Sequence, residues 1–86
     1  LEQNEISTRR WMVVIFNNDV TPLETVVEVL MLATKCDVEE AAIEAWEAHH
    51  LGQASVHFAG KDECDEAAGM ISRVGVRAEV LPEWQA

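Results

Sequence analysis

"WMVVIFNNDVTPLE", residues 11–24, holds a strand, a break and a helix start in immediate succession. Trp11 to Phe16 is an uninterrupted apolar run rich in β-branched and aromatic residues, so a first strand is expected over 10–16. Asn17, Asn18 and Asp19 stop it, because Asn and Asp make Asx-turns and tolerate left-handed backbone. Thr21, Pro22 and Glu24 then read as N-cap, N1 and N3 of a capping box. Leu23, Val26, Val27, Leu30 and the Ala33/Thr34 step keep the helical period, which predicts a first helix over 22–34.

The pattern outward from this stretch is equally regular. In "CDVEE", Asp37 is a second N-cap with Glu40 at N3, opening a helix over 38–50 that Gly52 stops. Its apolar positions are Ala41, Ile43, Ala45 and Ala48, with Trp46 nearby. "QASVHFA", residues 53–59, alternates as a strand, Ala54, Val56 and Phe58 facing one way and Ser55 and His57 the other. Gly60 turns the chain into a third helix over 61–74, with Cys64, Ala67, Ala68 and Ile71 as its buried stripe. Gly75 ends that helix, and residues 76–81 form a last strand closed by Pro82. The order β-α-α-β-α-β predicts an α/β (α+β) sandwich: a three-stranded sheet with helices packed on one face. Residues 1–9, polar and aperiodic, read as a flexible tail before a single domain over 10–86.

Bulk properties narrow the function. With 86 residues the chain has room for one small core. Sixteen acids against six Lys and Arg give a net charge of −10, which disfavours nucleic acid and anionic membrane surfaces and suits a cationic ligand or a basic partner. No apolar run approaches the roughly 18 residues of a membrane span. Cys36 and Cys64 are far apart and form no C-x-x-C, so they are expected as mostly buried thiols in a reducing compartment. That means the cytoplasm, or an organellar stroma or matrix if a leader has been removed.

Catalytic and metal chemistry find little support. No G-x-G-x-x-G, P-loop, G-x-S-x-G or H-E-x-x-H occurs. Cys36, His49 and Asp19 can be assembled into a nucleophile set on paper, but Cys36 falls at a turn between helices and the spacing matches no family. Adjacent helical residues point about 100° apart, so His49 and His50 cannot easily share an ion. They equally suit the negative C-terminal end of a helix. The expectation is no enzyme, no metal and no cofactor. Taken alone, Asn17, Asn18 and Asp19 need be nothing more than turn chemistry.

Three stretches in register, "NNDVTPLE", "CDVEEA" and "HHLGQA", resemble the signature of the ClpS adaptors. That signature usually runs N-D-D-x-T-P-M, then a Y-D-V-E-like step between helices, then H-x-x-G-x-A. The resemblance covers roughly residues 11–70, and the last strand more loosely. It implies a fold similar to the C-terminal domain of the ribosomal stalk protein. It also implies an adaptor that binds the free α-amino group and the large hydrophobic first side chain (Leu, Phe, Trp, Tyr) of N-degron substrates. Delivery is then to the AAA+ unfoldase ClpA or ClpC, working with ClpP. The rival is a ClpS-like interaction module that binds a protein partner without reading N-termini.

Carried onto these positions, the resemblance makes Asn17, Asp19 and His49 the ligands of the amine and allows Asn18 a contact to the peptide backbone. The chemistry is apt, since an ammonium offers three donors and one charge, and an amide oxygen, a carboxylate and a neutral imidazole nitrogen can accept. Thr21, Leu23, Val26, Val27, Ala45 and Ala48 are the expected hydrophobic pocket. Four positions depart from the family: Asn18 stands where Asp is commoner, Leu23 where a gatekeeping Met is usual, and Ala45 and Ala48 where larger apolar residues are usual. The small alanines predict a roomy pocket that accepts Trp and Phe.

Overall fold

The computed structural model describes residues 10–83. Its elements are β1 (Trp11–Phe16), α1 (Leu23–Thr34), α2 (Val38–Leu51), β2 (Gln53–Ala59), α3 (Lys61–Ser72) and β3 (Ala78–Pro82). The expected tail over 1–9 lies outside the described residues. The order is the one the sequence predicts. The sheet is β2-β1-β3, with β1 antiparallel to both neighbours.

Val13, Val14 and Ile15 are all buried, so both faces of the middle of β1 are shielded from water, which is why the strand is an unbroken apolar run. Val13 and Ile15 are fully buried on the helix side, and they meet Leu30 of α1, Ala41 and Ala45 of α2, and Cys64, Ala67 and Ile71 of α3 in one core. The far end of β1 is tied to β3 by Glu83 N–H donating to the Arg10 carbonyl at 3.0 Å and by an Arg10–Glu83 ion pair at 2.8 Å. Pro82 closes β3 on a sheet edge, where its missing N–H is harmless.

Asp37 caps α2 as its sequence predicts, accepting from the Glu40 N–H at 2.8 Å. Gly52 ends α2 at φ +95°, backbone that glycine adopts freely. Lys35 ends α1 at φ +61°, a left-handed position with a side chain on it.

Three local expectations are corrected. Thr21 does not cap α1: the helix starts at Leu23, and the Thr21 hydroxyl donates instead to the Val74 carbonyl at 2.9 Å. Asn18 takes over the local role, its Oδ1 accepting from the Val20 and Thr21 N–H groups. Ile43 is 60% exposed, because it lies two residues from both Ala41 and Ala45 and so points away from the face they share. The inward place falls to Glu44, only 9% exposed. Finally, β2 does not alternate to its end. Its register against β1 slips between Val13 and Val14, a bulge that turns His57 inward onto Glu63 of α3 at 2.8 Å and leaves Phe58 exposed.

Candidate functional site

The C-terminal end of β1 is held from both sides. The Phe16 N–H donates to the Arg77 carbonyl at 3.0 Å, and the Asn17 N–H to the Gly52 carbonyl at 2.9 Å. The second bond sets the Asn17–Asp19 turn beside the C-terminal end of α2, where His49 stands. The first sets it beside the loop between α3 and β3. A cavity of about 250 Å³ opens between these parts.

Asn17, Asn18, Asp19 and His49 line the cavity together with Thr21, Leu23, Val26, Ala45 and Ala48. Residues that the sequence places far apart therefore share one wall. Ala45 and Ala48 are almost fully buried and face it from α2, while Leu23 is 54% exposed at its rim. Of the expected pocket residues, Val27 is not in the lining: it packs against the core instead. Ile15, Phe16 and Val76 complete the wall. Ile15 could have been read from strand alternation, since its side chain lies on the helix side of β1. Val76 carries no local signal, because only the folding of the α3–β3 loop brings it there.

The three polar residues of the turn divide into two kinds. Asn18 is fully engaged within the protein. Its Oδ1 takes two backbone N–H groups, and its Nδ2 donates to Thr21 Oγ1 at 2.9 Å and to the Gly75 carbonyl at 2.7 Å. By contrast, the side chains of Asn17, Asp19 and His49 make no hydrogen bond among the described residues, and all three are exposed. They are acceptors held in place by backbone, with their capacity unspent. The carbonyl end of α2 adds negative potential beside them. A cation stands near as well, Arg77 lying 4.4 Å over the Phe16 ring, but Glu79 pairs with it.

Gly75 matters to this corner for its shape. At φ +91° it occupies backbone that disfavours side chains, and a Cβ there would lie 3.2 Å from Thr21 Oγ1. Its carbonyl is the acceptor for Asn18. The Asn18 amide makes a prediction of its own. Asn18→Asp keeps the two acceptor contacts and loses both donor contacts, while aiming a carboxylate at the Gly75 carbonyl. It should cost about 1–2 kcal/mol of stability, read by urea unfolding at neutral pH. A loss within error of zero would show that the amide donors carry no weight.

The size and lining of the cavity limit its chemistry. It falls below the roughly 300–1,000 Å³ typical of sites for drug-sized ligands, and so fits one side chain with a polar group at its mouth. Among the described residues no group of three or more His, Cys, Asp or Glu is placed to hold a metal ion. No helix among them is long and apolar enough to cross a membrane.

The family model for the ATP-dependent Clp protease adaptor protein ClpS matches residues 7–79. The chain belongs to the ClpS family. Among solved structures it is similar to Agrobacterium tumefaciens ClpS2 bound to L-phenylalaninamide, with a TM-score of 0.81 and 23% identity over 87% of this chain and 98% of that one. At that identity the likeness speaks for the fold, and it agrees with the ClpS topology of three antiparallel strands and three helices. No curated protein matches the chain. The family is one of adaptors to an ATP-dependent Clp protease.

Proposed function

We propose that the cavity at the end of β1 binds the free N-terminus of a protein and its large hydrophobic first side chain, so that the chain acts as an N-degron adaptor for a Clp unfoldase, ClpA or ClpC, with ClpP. The observation that carries this is the pairing of unspent acceptors with an apolar wall. Asn17, Asp19 and His49 offer an amide oxygen, a carboxylate and an imidazole to one ammonium group. Leu23, Val26, Ala45 and Ala48 surround the adjacent space. Asn18 holds the turn through its side chain, which leaves its backbone for any contact to the peptide. The ClpS2 relative was solved with L-phenylalaninamide, itself a free α-amine carrying a benzyl side chain. The acidic balance of the chain favours a cationic ligand and a basic unfoldase surface.

The test is a fluorescent peptide beginning with Phe, titrated beside its N-acetylated twin. Acetylation removes the charge and two donors, so affinity should fall by about 100-fold, the worth of one to two charge-assisted hydrogen bonds. Asn17→Ala and Asp19→Ala should each remove much of that difference. Equal affinity for both peptides would instead favour an interaction module that binds its partner without reading N-termini.

A further inference from the structure

His49 lines the cavity, and two further rings of α2 follow it outside the lining. The His49 ring meets His50 edge-on with centroids 4.9 Å apart, and His50 stacks on Trp46 at 4.3 Å and 26°. His50 is fixed there: its Nδ1 lies 3.0 Å from the Trp46 carbonyl, which can only accept, so Nδ1 donates. Trp46 is 53% exposed, a large aromatic face left open beside a site for a peptide end. Glu39, Ile43, Trp46 and His50 are spaced as one stripe of α2. The helix carries Glu39, Glu40, Glu44 and Glu47 and no Lys or Arg.

We infer that Trp46, ordered by His50, forms a subsite for a basic side chain at the third position of the bound peptide. This rests on the amine-binding role proposed above. An extended chain advances about 3.3–3.6 Å per residue, so a chain running from the amine site along the ring steps of 4.9 and 4.3 Å brings its third residue near Trp46. Side chains alternate along such a chain. With the first buried in the pocket, the second points away and the third points back onto α2. The open indole face attracts a guanidinium or ammonium group through its ring quadrupole, and Glu39 and Glu47 add negative charge on the same helix. The occupant is thus the same peptide that fills the pocket, continued by two residues.

The experiment compares peptides that begin with Phe and carry Arg or Ser at position two or three, with wild-type protein and with Trp46→Ala. Arg at position three should bind about two- to fivefold tighter than Ser, the scale of an exposed cation–π contact. Arg at position two should gain less. In Trp46→Ala the preference at position three should vanish while the Phe-Ser-Ser affinity stays unchanged. A preference of equal size in wild type and Trp46→Ala would mean that net charge alone attracts arginine, and would overturn the subsite. So would equal affinity for Arg and Ser in the wild type. N-acetylated controls separate the two proposals. If Phe peptides lose affinity on acetylation but gain nothing from Arg, only the subsite fails. If they bind regardless of acetylation, or do not bind, the amine site fails and the subsite with it.

Discussion

Glu44→Gln should raise stability by up to about 3 kcal/mol above pH 7 and leave it nearly unchanged at pH 4. Glu44 is 9% exposed on the inward face of α2, and its Oε1 has no hydrogen-bond partner among the described residues. Burial foremost, and then the negative charges of Glu40 and Glu47, push its carboxyl from an ordinary 4.5 up to about 7. In the unfolded chain it titrates near the ordinary value. Between these two values the native state holds a proton that the unfolded state has released. Stability therefore falls as pH rises across that window, by about 1.4 kcal/mol per unit, and the loss is complete above the native value. Glutamine has the same shape and cannot ionise, so the slope due to this group disappears. Urea unfolding of both proteins at pH 4 and pH 8 reads the effect. The same difference at both pH values would show that packing, and not charge, separates them.

Ala48→Met should weaken peptides beginning with Trp or Phe by about 10- to 100-fold, equivalent to an overpacking cost of 1–3 kcal/mol, and spare Leu more. Ala48 is 5% exposed and lines a cavity of only about 250 Å³, so added methylenes must enter the space where a first side chain would sit. A ring cannot bend around them, whereas a leucine can shift rotamer. Fluorescence anisotropy with Leu, Phe and Trp peptides checks it, and an equal loss for all three would show that the substitution disturbs α2 as a whole. Unfolding of the variant in urea guards against that outcome, since Ala48 also belongs to the core.

Both predictions depend on facts that differ in how far the sequence discloses them. The alanines on the inward face of α2 follow from helical spacing alone, and the size of the pocket they leave is a short step from there. Glu44 was hidden. A helical wheel through Ala41, Ala45 and Ala48 puts it on the buried flank, but its type argues for the surface, and type usually decides. Thr21 misled for the opposite reason. The T-P-L-E pattern is sound capping chemistry, yet the loop before β3 offers the Val74 carbonyl to its hydroxyl, and Asn18 takes the turn's N–H groups. His57 and Phe58 changed sides because one bulge breaks a period of two, and a bulge leaves no mark in apolar and polar alternation.

Sequence by itself determined the order of the elements, where α2 begins and ends, and membership of an adaptor family. Each of these rests on local chemistry: Asp37 supplies an acceptor three residues ahead, Gly52 permits positive φ, and apolar spacing sets the period. Only the tertiary structure decided that Asn17 and His49 face one cavity, that Asn18 is spent on the turn, and that a carboxyl lies buried. Those outcomes depend on which surfaces meet. A single backbone bond from Asn17 to Gly52 joins the polar turn to the end of α2. The loop at Gly75 then claims Asn18 and leaves its neighbours' side chains without hydrogen bonds among the described residues. The stretch that announces a strand, a turn and a helix becomes half of the cavity wall only when a distant helix end is packed against it.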